Sequence, residues 1–164
     1  MLWFTHKELS LQILNKIARI NRLTNSIQII ILFNMNEKKL MNRAADNIRI
    51  LAASMVEKAN SGHPGGAMGG ADFVNVLFSE FLVYDPENPR WEGRDRFFLD
   101  PGHMSPMLYS TLALTGKFTM EELAQFRQWG SPTPGHPEVD IMRGIENTSG
   151  PLGQGHTFAV GAAI

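Results

Sequence analysis

The sequence Ser61-Gly62-His63-Pro64-Gly65-Gly66 sets a histidine in a turn that a regular helix or strand cannot accommodate. The same framing recurs in Asp100-Pro101-Gly102-His103-Met104-Ser105-Pro106 and in Thr133-Pro134-Gly135-His136-Pro137-Glu138. Glycine and proline fix the backbone in turns, and histidine is the side chain whose protonation changes most readily near neutral pH. Three imidazoles in rigid turns therefore indicate a pocket, with His63, His103 and His136 as its candidate functional side chains.

A glycine-rich loop follows these turns, with the sequence Gly150-Pro151-Leu152-Gly153-Gln154-Gly155. Glycine lets a backbone approach a ligand closely, and the small residues at 159–163 predict the start of a helix. A helix N-terminus beside such a loop is suited to an anion. The loop matches neither the P-loop nor the G-x-G-x-x-G fingerprint, so a plain structural turn is the alternative interpretation.

A zinc ion held by the three histidines is a competing hypothesis, because catalytic zinc commonly uses three protein ligands and a water. Local ligand pairs usually help to form such sites, whereas His63, His103 and His136 are far apart in the sequence. The spacing disfavours zinc, and we assign no metal ligand within this chain.

The composition indicates a globular, soluble protein. The chain has 164 residues, of which 43% are hydrophobic and 19% charged, and this length is typical of one domain. A net charge of −1 argues against a general nucleic-acid binder. The absence of cysteine excludes disulfides and thiolate metal sites. It favours a reducing compartment, and we expect cytoplasmic localisation without membrane association.

Residues 1–34 differ in composition from the rest of the chain, because they are basic, apolar and nearly free of acidic residues. They could be an organelle transit peptide or a surface-binding amphipathic helix. The third interpretation is that translation begins at Met35 or Met41. The apolar run at 29–33 is far shorter than the roughly 20 residues that cross a bilayer. We therefore predict an atypical leader over 1–34, outside the fold, and a folded domain over 35–164.

Apolar periodicity predicts helices over 42–60, 69–81 and 107–115. The wide apolar surface of 69–81 predicts burial between layers. A buried strand is predicted over 96–99. Thr119 and Glu122 have the spacing of a capping box, which predicts a helix to about Trp129 with Arg127 on its exposed face. The segment 131–155 is a long loop, and loops of that length are usually functional or disordered.

Taken together and in this order, the motifs resemble the N-terminal part of the transketolases. The matching stretches lie at 44–49, 59–65, 94–99, 102–103, 125–131, 133–138 and 150–155. The resemblance covers about 36–164 and implies an α/β fold. That fold is an incomplete thiamine-diphosphate-binding domain whose parallel sheet is flanked by helices.

The resemblance also implies a reaction and its residues. The family moves a two-carbon ketol unit from a ketose phosphate to an aldose phosphate, in the pentose phosphate pathway, using thiamine diphosphate and Mg²⁺. Catalytic roles fall to His63, His103 and His136, with His63 and His136 binding substrate. Cofactor contacts fall to His103 and to the loop residues Gly150, Pro151, Leu152 and Gly153. Sugar phosphates are the expected partners, and the whole protein is expected to be a homodimer.

Two departures from the family pattern are visible. His156 stands where the family commonly has an aliphatic residue. The Gly-Asp-Gly motif and following Asn that hold magnesium would come after Ile164, as would the activating glutamate of the partner subunit. We therefore expect the Mg²⁺ ligands beyond Ile164, and we expect the separate chain to be inactive and marginally stable, because its sheet is incomplete.

Alternatives remain open at this point. The chain could be a fragment of a longer enzyme, a non-catalytic binding or assembly module that retains the fold, or the N-terminal piece of a split thiamine-diphosphate enzyme. Sister families that use the same cofactor, such as the phosphoketolases, are a further alternative.

Overall fold

A computed structural model describes residues 26–164, with side chains from residue 37 onward. The chain divides into two compact units, Met1–Leu40 and Met41–Ile164, and every candidate site residue belongs to the second. The predicted leader falls largely on residues outside the described part. Because helix α1 begins at Ser26 and runs without interruption through residue 35, the boundary at 34/35 stays a prediction.

The described residues are mainly helical. Within residues 26–164, six α-helices follow one another as α1 (Ser26–Ala59), α2 (Pro64–Gly69), α3 (Ala71–Val76), α4 (Ser105–Leu114), α5 (Met120–Leu123) and α6 (Gln154–Ala163). A π-helical turn, Leu77–Phe81, extends α3, and 3₁₀ turns lie at Gly102–Met104 and Ile141–Arg143. None of the described helices is long and apolar enough to cross a membrane.

Helices occur in each region where the sequence predicts one, but their ends differ from the predicted ones. Pro64 occupies the first turn of α2, where its missing N–H costs nothing. The capping box at Thr119 is confirmed, but α5 ends at Leu123 and not near Trp129. The burial predicted for 69–81 is wrong at Phe73 and Phe81, which are 66% and 68% exposed.

No β-strand occurs between residues 26 and 164, where one isolated antiparallel bridge joins Asp140 to Ile145. The predicted strand at 96–99 is wrong as a strand. The Leu99 N–H instead donates to Oδ1 of Asn147 at 3.0 Å, and Nδ2 of Asn147 donates to the Leu99 carbonyl oxygen at 3.2 Å. A side-chain amide thus takes the position of a neighbouring strand. The parallel sheet of the expected α/β class stays a prediction.

Helix α4 lies at the centre of the core. Every residue from Ser105 to Leu112 is buried, as expected for a helix that is packed on all sides. One cluster of buried apolar side chains surrounds it, contributed by α1, by α2 and α3, and by the loops on either side of α5. Its largest members include Ile48, Val74, Leu99, Tyr109 and Phe126. This helix begins at Ser105, two residues after His103, so the core positions that histidine.

Candidate functional site

Two of the three framed histidines are in contact. The rings of His63 and His103 are 4.8 Å apart between centroids and inclined at 63°. His63 precedes α2 in an extended conformation, after Gly62 with φ +135°, a value that favours glycine. His103 lies in the 3₁₀ turn Gly102–Met104, immediately before α4. Two turns from separate parts of the chain therefore present their imidazoles to each other.

The third histidine joins them at Gly102. A Cβ on Gly102 would lie 2.9 Å from Cδ2 of His136 and 2.5 Å from the carbonyl oxygen of Ser149. These distances are shorter than real Cβ contacts, so only glycine fits at this point. The structure thus brings His136 beside the residue that precedes His103. The grouping predicted from the three turns is observed.

Helix α4 holds the turn that carries His136. The Ser105 hydroxyl donates to the carbonyl oxygen of Gly135 at 2.7 Å, and the Tyr109 hydroxyl donates to that of Pro134 at 2.8 Å. Ser105 and Tyr109 are four residues apart and therefore share one face of the helix. Burial raises the pKa of Tyr109, and the Glu138 charge adds to the effect, so the hydroxyl stays protonated as a donor.

The environment of His136 favours its neutral form. Partial burial lowers the pKa of His136, and the positive charges of Arg127, His103 and His63 lower it further. His136 is nevertheless exposed to solvent, and solvent screens much of this effect. A neutral imidazole has one N–H donor and one acceptor nitrogen. His136 is therefore suited to hydrogen bonding and to accepting a proton at neutral pH.

The glycine loop is attached next to the same histidines by Asp100. One carboxylate oxygen accepts from the Gly153 N–H at 3.2 Å, and the other lies 3.2 Å from Nδ1 of His156. A Cβ on Gly155 would lie 2.5 Å from Cβ of Asp100, so α6 begins in close contact with the segment before His103. His156, which departs from the family pattern, contacts this aspartate.

The four predicted loop residues, Gly150, Pro151, Leu152 and Gly153, directly precede α6. No atom of another segment lies within 4 Å of where a Cβ of Gly150 would be. The Leu152 side chain is 69% exposed. The loop therefore presents an accessible backbone and one apolar side chain.

The buried polar residues Glu146 and Asn147 hold residues 94–99, the segment that leads to His103. The Glu146 carboxylate, with 4% of its side chain exposed, pairs with Arg94 at 2.7 Å and with Arg96 at 2.8 Å. The side chain of its neighbour Asn147 is hydrogen-bonded to both the N–H and the carbonyl oxygen of Leu99. Buried charges are tolerated only when paired, and here the pairing ties residues 94–99 to 146–147.

An open groove of about 970 Å³ runs along the His136 turn. It is lined by Ser61 of the His63 turn, by Arg127 and Trp129 after α5, and by Gly135, His136 and Glu138 of the His136 turn. The groove is concave and wide enough for a small polar ligand.

The comparison with known proteins identifies the family. The sequence profile described as "Transketolase, thiamine diphosphate binding domain" matches residues 40–164. The chain belongs to the transketolase family. The resemblance inferred from the motifs is confirmed.

Individual transketolases agree with this assignment. The chain is 55% identical over 121 residues to transketolase 1 of Escherichia coli, and 52% identical over 128 residues to the transketolase of Halalkalibacterium halodurans. These matches cover 73% and 77% of this chain, but only 18% and 19% of the relatives. The solved transketolase of Campylobacter jejuni is 48% identical, with a TM-score of 0.72, over 76% of this chain and 20% of that one. The chain thus spans about a fifth of the transketolases it matches.

The described residues fit the organic part of the cofactor named by the transketolase profile. The Ser149 hydroxyl beside Gly102 is buried and has no hydrogen-bond partner among the residues described. Three imidazoles and the open Gly150 backbone supply further donors and acceptors next to it. The described residues contain no cluster of three or more His, Cys, Asp or Glu side chains that could hold a metal ion. These residues therefore do not fit Mg²⁺.

Sequence reasoning missed the residues that position the transketolase histidines. Ser105 and Tyr109 carried one usable signal, their four-residue spacing on a helix next to His103. Asn147 and Asp100 carried none, because their partners are distant in sequence. The expectation for Arg127 was wrong: it does not lie on an exposed helix face, because α5 ends four residues earlier.

Proposed function

We propose that residues 40–164 form one wall of a thiamine-diphosphate site that transfers a two-carbon ketol unit from a ketose phosphate to an aldose phosphate. One observation carries the proposal: His63 contacts His103, and His136 packs on the neighbouring Gly102, beside the Asp100-anchored glycine loop. Three neutral or cationic imidazoles around one point suit a reaction in which hydroxyl protons move and alkoxide charge develops.

The cofactor would be held by His103 and the loop. In the proposal, the backbone at Gly150 and Gly153 and the exposed Leu152 side chain contact its aminopyrimidine half, while His103 lies toward the diphosphate. Thiamine diphosphate supplies the electron sink for cleavage of a carbon–carbon bond. The buried, unpartnered Ser149 hydroxyl supports a ligand at this position, because an unpaired buried polar group is costly.

Each histidine then has a separate task. His136, with its lowered pKa, accepts a hydrogen bond or a proton from a substrate hydroxyl at its basic nitrogen. His63, in ring contact with His103, donates to the substrate oxygen that becomes negative. The rigid turns hold these donors in place before substrate binds, which reduces the reorganisation needed during reaction.

Sugar phosphates are the proposed substrates. A solved transketolase of Pichia stipitis, 46% identical over 75% of this chain and 18% of its own, is described in complex with sedoheptulose-7-phosphate. The proposal includes Mg²⁺ bound by residues outside this chain's described part, a homodimer, and cytoplasmic localisation. Light scattering of the purified protein tests the dimer, and cell fractionation tests the compartment.

Ketol transfer is best tested in a full-length framework. We expect transketolase 1 of Escherichia coli to remain active when residues 40–164 of this chain replace its matching segment. His136→Ala in this chimera should lower kcat/KM by about 100-fold or more, as is typical when a general base is lost. Glu87→Ala, in an exposed loop, is the matched control.

The alternatives predict different results in the same assay. A chimera that folds and binds thiamine diphosphate but does not turn over would favour a non-catalytic binding module. Equal activity of the His136→Ala and Glu87→Ala chimeras would refute the role of His136. Cofactor binding is measured separately, by calorimetric titration with thiamine diphosphate.

A further inference from the structure

Arg127 has an unusual backbone and a side chain directed inward. Its φ is +62°, in the left-handed region that non-glycine residues seldom adopt. Its N–H donates to the carbonyl oxygen of Thr133 at 3.0 Å, which turns the chain back toward the His136 turn. Such a conformation persists only when surrounding contacts enforce it.

The Arg127 guanidinium connects two histidine turns. One terminal nitrogen, Nη1, donates to the Ser61 hydroxyl at 3.0 Å, two residues before His63. The same group covers Gly135, where a Cβ would lie 2.7 Å from Nε, one residue before His136. A planar fork with several donors can join two segments in this way, whereas a lysine ammonium cannot.

The Arg127 side chain is not explained by stability alone. Its Nε is buried and has no hydrogen-bond partner among the described residues. An unpaired buried donor costs on the order of 1–3 kcal/mol. Placing this cation beside imidazoles adds repulsion whenever they are protonated.

Several charged or titratable groups face His136. Burial is the first cause of the lowered pKa of His136, and the positive charges of Arg127, His103 and His63 lower it further. Glu138, two residues further on, is exposed. Arg127 carries the one permanent positive charge of this set, since an arginine does not deprotonate in proteins.

We propose that Arg127 is a positioning residue whose guanidinium fixes the Ser61–His63 and Gly135–His136 turns relative to each other and acts on His136 through its charge. The inference rests on the proposed function in assigning His136 to substrate hydroxyls. Its consequence is that His136 stays free to accept a proton near neutral pH. Without the Arg127 charge, the imidazole would be protonated over a wider range below neutral pH.

The test is an NMR titration of the histidine ring signals in the 164-residue chain, with His136→Asn used to assign the His136 signal. We expect Arg127→Gln to raise the His136 midpoint by about half a pH unit, as suits one charge in a partly solvated site. Arg127→Lys should raise the midpoint less than Arg127→Gln does, because it keeps the charge although it cannot join the two turns. Arg90→Gln, which removes an exposed arginine, is the control for net charge.

The outcomes divide clearly. An Arg127→Gln midpoint equal to wild type overturns the inference, as does an equal rise in Arg127→Gln and Arg127→Lys. A rise that is larger in Arg127→Gln than in Arg127→Lys, and reduced in high salt because the interaction is screened, supports it. Circular dichroism shows whether each variant is folded, and if Arg127→Gln is not, the salt dependence of the wild-type His136 midpoint still tests the charge argument.

The titration needs neither cofactor nor substrate, so its failure is distinct from failure of the proposed function. In the active chimera, Arg127→Gln should move the acid limb of kcat/KM to higher pH by the same half unit. A fall in kcat/KM with an unchanged pH profile would contradict the charge role.

Discussion

Gly102 is the residue at which the candidate site is most tightly packed. The Ser149 carbonyl and the His136 ring both occupy the space that a Cβ on this residue would need, while His103 follows it in the chain. The sequence showed a glycine before a histidine and predicted a rigid turn there. It contained no sign that His136 would pack on this glycine, because that contact joins residues that are 34 positions apart in the chain.

Gly102→Ala should destabilise the chain by about 1–3 kcal/mol, the usual cost of overpacking. The added methyl group would meet the Ser149 carbonyl at 2.5 Å, and a backbone oxygen cannot move away cheaply. Urea denaturation measures the loss, and the His136 ring signal in NMR should shift with it. Gly69→Ala is the matched control, because no other segment lies within 4 Å of its Cβ position; equal losses in both variants would contradict the packing argument.

Tyr109→Phe should cost about 1 kcal/mol, the net value of a typical hydrogen bond whose acceptor remains. The variant removes the donor to the Pro134 carbonyl but keeps the buried ring. The His136 turn should also become more mobile, which amide hydrogen exchange at 135 and 136 would detect. Tyr84→Phe, in a different aromatic cluster, is the control; unchanged exchange in Tyr109→Phe would show that α4 does not hold the turn through this bond.

Among the elements, local signals were predictable and long-range pairings were not. The capping box at Thr119 and Glu122 depends on residues three apart, and the structure has both of its hydrogen bonds. The length of α5 was not predictable, because the following turns bond to Thr133 and its neighbours. The strand predicted at 96–99 failed for the same reason: its apolar pattern correctly indicated the burial of Leu99, but its partner is the side chain of Asn147.

Thr119→Ala should destabilise the chain by about 1 kcal/mol, a typical value for loss of an N-cap. The hydroxyl accepts from the Glu122 N–H at 3.2 Å, and the Glu122 carboxylate bonds back to Thr119. Chemical denaturation provides the measurement. Thr157→Ala is the control, because that exposed hydroxyl donates only to the Gln154 carbonyl oxygen within α6. This variant should cost a few tenths of that value. A Thr119→Ala loss no larger than the control would mean that the short helix does not depend on its cap.

For the whole molecule, the convergence of the histidines follows from the position of α4. The helix begins two residues after His103, carries the two hydroxyls that hold the His136 turn, and is buried from Ser105 to Leu112. The sequence predicted a helix there and a pocket built from three turns, and the order of the motifs matched that of the transketolase family. It could not predict that α4 would join them, nor that Arg127 would turn inward, because neither is encoded in local spacing.

The stability of the whole chain should fall in two steps as pH decreases. His136 has a pKa below its ordinary 6.5 when folded, so below about pH 6.5 the unfolded state takes up a proton first and stability declines. The Arg143 hydrogen bond, and then the bond from Thr119, lower the pKa of Glu122 below 4.5. That stabilisation is present above pH 4.5 and is lost as pH falls through the lowered value. Thermal unfolding between pH 8 and 3 tests this.

Two variants separate the steps. His136→Asn should flatten the upper step, which is expected to be small because the imidazole is partly exposed, and should leave the lower step intact. Glu122→Gln should remove the lower step and leave the upper one, because it cannot ionise. If wild-type stability were constant from pH 7 to 5.5, or if His136→Asn left the upper step unchanged, the neutral imidazole at the centre of the proposed chemistry would have no support.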